Sequence, residues 1–119
     1  MITYGGTITY DESHQKIIES GTDEIKKILF GSDVYKIRQL LFCLDFYLDP
    51  YYKHKLPHEK EIYDLLQELV ISSQEDGVIE DCLQLIGDYA CIPLSIMEQH
   101  FDNIRDSMKP YARYVLDMP

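Results

Sequence analysis

Along most of this chain apolar residues recur every three or four positions, the spacing that lines one face of an α-helix. Only the first ten residues depart from it. There Ile2-Thr3-Tyr4 and Ile8-Thr9-Tyr10, two β-favouring triplets, flank Gly5-Gly6, which suits the positive φ angles of a tight turn. The pattern predicts a small hairpin over residues 1–10, or else a loosely held arm, because a lone hairpin is marginal in water. From Asp11 the period lengthens. Asp11 is the expected N-cap of a helix reaching about Ser20, with Gly21 left-handed at its end. Thr22 is expected to cap a second helix with Ile25, Ile28 and Leu29 on its apolar face and Gly31 at its stop. Ser32 is the expected cap of a third. Its stripe is Val34, Ile37, Leu40, Leu41, Leu44 and Leu48, widened by Phe42, Cys43, Phe46 and Tyr47, and Pro50 ends it. A stripe that wide predicts the most buried element of the fold.

Residues 49–56 read as a connecting loop, and Pro57 suits the first turn of a helix running to about Ser73 with Ile62, Leu65, Leu66, Leu69 and Val70 on one face. Glu75-Asp76-Gly77 reads as a turn before a helix over roughly 77–89 that buries Ile79, Cys82, Leu83 and Ile86. Pro93 restarts the chain into a short helix with Leu94, Ile96, Met97 and Phe101. A last helix over 103–116 carries Ile104, Met108, Tyr111, Val115 and Leu116, and Pro110 must kink or split it. Six or seven short helices joined by brief turns force antiparallel neighbours. Asp76, Val78-Ile79, Cys82 and Ile86-Gly87 resemble the second helix of a HEAT repeat, with the glycine closing the helix. A weaker echo at Ile37-Arg38 and Leu41 lies 41 residues earlier. The expected fold is therefore all-α: a short, irregular HEAT-like stack of antiparallel helical hairpins, with the N-terminal β-hairpin as an addition, in a single domain over 1–119. An ordinary helical bundle is the rival.

At 119 residues with 45% hydrophobic side chains, the chain can bury one core without disulfides or metal, and disorder is excluded. Three cysteines, Cys43, Cys82 and Cys91, cannot all pair within one chain and show no C-x-x-C spacing. They are expected to be small buried apolar side chains in a reducing compartment. No apolar run approaches the roughly 20 residues of a spanning helix, and the N-terminus lacks the pattern of a secretory signal. The expected location is the cytoplasm, away from membranes.

Charge changes the picture most. The chain has 11 Lys and Arg against 21 Asp and Glu, a net charge of −10, which argues against direct nucleic-acid binding. The imbalance is local. From Glu61 through Ile104 there is no Lys or Arg, while Glu61, Asp64, Glu68, Glu75, Asp76, Glu80, Asp81, Asp88, Glu98 and Asp102 all fall there. Glu61, Asp64, Glu68 and Glu75 keep one helix face, and Glu80, Asp81 and Asp88 form the polar face of the next helix. On antiparallel neighbours both rows can share a surface. Like charges at helical spacing repel by about 0.2–0.5 kcal/mol per pair. Such a surface makes sense against a cationic partner, whose approach it steers. A merely solvated acidic face is the competing reading. Tyrosine adds a second signal: of ten, Tyr47, Tyr51 and Tyr52 cluster beside Asp45 and Asp49, and tyrosine is common at interface hot spots.

Motifs for catalysis are missing. His58-Glu59 begins like a zinc H-E-x-x-H, but position 62 is Ile; Pro57 keeps His54 and His58 off a common helix face. No P-loop, G-x-S-x-G, G-x-G-x-x-G or calcium loop occurs. No enzyme activity, cofactor, metal or small-molecule substrate is expected, a small hydrolase or metal protein built on His54 and His58 being the rival class.

Leu66-Gln67-Glu68-Leu69-Val70, Asp76 through Leu83 and Tyr111-Ala112-Arg113-Tyr114-Val115-Leu116 together resemble the small acidic helical immunity proteins of bacterial polymorphic-toxin and contact-dependent growth inhibition systems. The resemblance covers roughly the C-terminal half and excludes the Gly-Gly segment. It implies a 1:1 complex with a basic toxin domain, a nuclease such as a tRNA-cleaving enzyme of the EndoU type, whose active site is occluded. The expected toxin-binding residues are Glu61, Asp64, Glu68, Glu80, Asp81, Asp88, Asp45, Asp49, Tyr51 and Tyr52. A helical adaptor binding a host protein or peptide is the alternative.

Overall fold

The computed structural model describes residues 2–4 and 8–118; the expected Gly5-Gly6 turn lies outside the described residues. The fold is all-α, with seven α-helices among the described residues and one short β pair. β1 (Ile2–Tyr4) and β2 (Ile8–Tyr10) run antiparallel, with Ile2 opposite Tyr10, Thr3 opposite Thr9 and Tyr4 opposite Ile8. Close contacts divide the chain into two compact units, Met1–Glu59 and Lys60–Pro119.

The first unit is organised on α3 (Val34–Leu48), which β2, α1 (Glu12–Glu19) and α2 (Thr22–Leu29) all approach. Ile18, Ile25, Leu29, Leu40 and Leu44 are wholly buried there, each contributing about 1.5–3 kcal/mol by leaving water. Tyr10 sets its ring edge-on to Phe42, centroids 5.0 Å apart. Tyr10 and Ile8 are buried, so the strand has the helical support that a lone hairpin lacks.

Caps explain where these helices begin. Asp11 accepts from Ser13 N–H at 2.9 Å, and His14 Nδ1 accepts from Asp11 N–H at 3.0 Å, a reciprocal capping box with His in the usual Glu position. Two expected caps are replaced. Gly21 takes the position expected of Thr22; its φ of +118° and ψ of −175° place it outside the left-handed helical well, in a region that glycine enters without strain. Asp33, not Ser32, caps α3 through Lys36 N–H at 3.1 Å. Nor is α3 uniquely buried: α4 (Glu59–Ser72) buries seven side chains, as α3 does, in one residue fewer.

The second unit contains α4, α5 (Asp76–Tyr89), α6 (Ser95–Gln99) and α7 (Lys109–Leu116), with 3-10 turns at Phe101–Asn103 and Asp106–Met108. α4 begins two residues after Pro57. Asp76 and Gly77 belong to the first turn of α5 instead of a separate turn, and Gly87 lies inside α5 instead of closing it. Pro110 sits in the first turn of α7, where its missing N–H costs nothing, so the expected long helix is split ahead of it. Ile79, Leu83, Ile86 and Met97 form the fully buried centre of this unit.

One polar side chain shares that core. Gln67 is completely buried, and its Oε1 accepts Met97 N–H at 3.1 Å. α6 has Leu94 at its N-cap and no side-chain cap of its own, so Gln67 closes it from thirty residues away. The Nε2 end of the same amide has no partner among the described residues.

Candidate functional site

The ten side chains expected at an interface divide between the units: Asp45, Asp49, Tyr51 and Tyr52 in the first, the other six in the second.

In the first unit, Leu48 ends α3 and Asp49 turns the chain. Its carboxylate accepts Tyr51 N–H at 2.9 Å and shapes a 3-10 turn over Pro50–Tyr52, after which Lys53 is left-handed at φ 58°. That turn raises two rings. Tyr51 is 79% exposed and Tyr52 49%, and they meet edge-on at 5.1 Å. Tyr52 leans on Phe46 at 4.6 Å, and His54 lies against both Phe46 (4.6 Å) and Tyr47 (4.7 Å). The result is a continuous aromatic ladder whose outer end meets solvent and whose inner end, Tyr47, is buried. The Tyr47 hydroxyl donates to the Glu19 carboxylate. Burial first, and then that hydrogen bond, hold its proton well above the ordinary range. His58 Nε2 lies 2.8 Å from Ile18 O, within hydrogen-bond reach, and ties the connector to the end of α1. Of the two histidines of the rival hydrolase or metal reading, His54 thus lies against aromatic rings and His58 against a backbone carbonyl. Among the described residues no three His, Cys, Asp or Glu side chains converge as a metal site.

In the second unit the base-free segment is partly neutralised from its flanks. Lys60, one residue before it, places Nζ 2.8 Å from Asp64. Arg105, one residue after it, places Nε 2.8 Å from Asp76, and Ser107 Oγ donates to the same carboxylate oxygen at 2.9 Å. The Ser107 hydrogen bond, then Arg105, holds the Asp76 carboxyl below its ordinary value. Glu75 stands at the N-cap of α5 and is not on the α4 face expected of it. Asp81 is half-buried. Glu61, Glu68, Glu80 and Asp88 are exposed on their helices. Glu80, Gln84 and Asp88 share one face of α5 at four-residue spacing, as Glu61 and Glu68 share one of α4 at seven. The whole unit carries twelve acids against four bases.

Cysteine exposure differs from expectation at one position. Cys43 and Cys82 are fully buried, and desolvation pushes both thiols up, Cys43 to about 12. Cys91 is exposed, because it follows the end of α5, where the chain is extended and leaves the core.

Comparison with family models, curated proteins and solved structures finds no match to this chain. Among the described residues no helix is long and apolar enough to cross a membrane.

Proposed function

We propose that this chain is an immunity protein that neutralises a basic toxin domain, a nuclease, by covering its active site with acidic helices. The observation that carries the reading is the charge of the second unit: twelve acids to four bases, with Glu61, Glu68, Glu80 and Asp88 held out to solvent. Exposed carboxylates on successive helices match the cationic surface with which a nuclease holds phosphates. They speed encounter by long-range attraction, and this effect weakens as salt shortens the screening length. Inhibition by occlusion needs no catalytic group from this chain. The partner is cytoplasmic when engaged, and the complex is 1:1.

The test is co-expression with the C-terminal domain encoded by the reading frame immediately upstream. The wild-type chain is expected to restore growth. A variant with Glu80→Lys, Asp81→Lys and Asp88→Lys together is expected to lose protection and to associate more slowly at low salt. Unchanged protection by a folded triple variant overturns the proposal.

A second reading, a helical adaptor for a host protein or peptide, draws on the exposed Tyr51 and Tyr52 rings. It predicts binding that depends on those rings and hardly on salt.

A further inference from the structure

Within the second unit, α5 and α7 end beside each other at a half-open cleft of about 340 Å³, at the small end of the roughly 300–1,000 Å³ range of ligand pockets. Ile86, Val115 and Leu116 supply apolar wall, Cys91 an exposed thiol, and Glu98 an exposed carboxylate. Among the described residues no Lys, Arg or His lines the cleft.

Its electrostatics follow from the chain direction. Ile86, Gly87 and Ala90 come from the C-terminal end of α5, and Val115, Leu116 and Met118 from that of α7. A helix leaves its last carbonyls without intrahelical partners and concentrates about half a negative charge there. α5 has no base in its last turn to offset this. α7 has Arg113, but that guanidinium lies 4.3 Å over the Phe101 ring and 3.8 Å from Asp117. Two negative helix ends and Glu98 therefore act on one recess whose lining is about half polar and half apolar.

Gly87 points the same way. A Cβ placed on it would meet Val115 at 3.5 Å, an ordinary contact, and its φ is not positive. Neither packing nor backbone conformation requires glycine, although glycine weakens a helix interior. Its missing side chain leaves the cleft open between α5 and α7.

We propose that this cleft binds an organic cation carried on an aliphatic stem, the chemistry shared by an arginine or lysine side chain and a free alkyl amine or guanidine. The stem takes the apolar wall, and the head takes Glu98 and the helix-end carbonyls. A bare metal ion would find Glu98 as the one carboxylate among the lining residues and leave the wall unused. The site stands independently of the toxin reading and is tested without the toxin.

The experiment is amide-resolved NMR titration of the full chain with n-hexylguanidinium, with hexanol and hexanoate as controls, and with a short blocked peptide holding one arginine. The cation is expected to shift the amides of Gly87, Cys91, Glu98 and Val115, with affinity on the order of millimolar for so small a ligand. Hexanoate should shift none of them and hexanol should bind more weakly. Glu98→Gln should weaken the cation about threefold, the range of an exposed ion pair. Capping Cys91 with N-ethylmaleimide, while Cys43 and Cys82 stay buried and unreactive, should abolish the shifts. Tighter binding of the peptide identifies a partner's side chain as the occupant, and tighter binding of the free guanidinium identifies a small amine. Equal shifts from all three hexyl compounds, or cation shifts spread over the acidic helices and indifferent to the cap, overturn the proposal.

Discussion

Asp11 and Asp33 close their helices through backbone amides two and three residues away, whereas α6 is closed by Gln67, thirty residues upstream. The start of α5 is held in the same distant way, by Arg105 and Ser107 on Asp76. The first unit thus relies on local caps for α1 and α3 and for the turn after Asp49. The second has no side-chain cap at α5, α6 or α7 and relies on tertiary ties. A local cap forms with its own helix and fails with it. A distant tie exists only once the unit has packed, so it adds to cooperativity and makes a single side chain more costly to lose.

Gln67→Ala is the sharpest test of that contrast. It strands Met97 N–H and opens a cavity in the core, so a loss of about 2–4 kcal/mol is expected in urea unfolding. Hydrogen exchange should accelerate at Met97 and the rest of α6. A loss below that of a surface cap would erase the distinction between the units. Asp33→Ala, the local counterpart, should cost about 1 kcal/mol and loosen chiefly the first turn of α3. Helicity lost beyond α3 would show that caps in the first unit are not local either.

The smallest effect concerns Asp76. Its folded pKa lies below the ordinary 3.8, so its contribution is fully present above pH 3.8 and is lost as pH falls through the lower, folded value. Unfolding midpoints measured between pH 5 and pH 2 should fall less steeply for Asp76→Asn than for wild type. Identical slopes would mean that the Ser107 and Arg105 contacts to Asp76 add nothing to stability.

The same contrast governs what was legible beforehand. Helical periodicity located every α-helix, because burial of one face is written at three- and four-residue spacing in Leu40, Leu44, Leu66, Val70, Leu83 and Ile86. The Asp11 cap was equally plain, being local chemistry; Pro110 announced a kink or a split, and packing decided for a split ahead of it. Errors of one or two residues at Thr22, Ser32 and Gly77 arose where neighbouring residues competed for the same cap. Gln67 gave no signal, since a glutamine on a helix reads as solvent-facing until its partner thirty residues on is known. The acid row over 61–104 is plain in the sequence, yet Lys60 and Arg105 stand just outside it in sequence and inside it in space. The cleft could not be found at all, because it is made of helix ends and of the side chain that Gly87 lacks.

From the sequence alone follow the helical class, the period of each apolar face and the concentration of carboxylates after residue 60, because each depends on neighbours within a turn or on a simple count. Tertiary structure decided which carboxylates keep their charge unopposed, which thiol faces water, and that two negative helix ends meet at one recess. Apart from the Lys60–Asp64 pair, which lies within α4, those depend on contacts between residues far apart in the chain, such as Arg105 and Asp76, and such contacts exist only after the helices have packed.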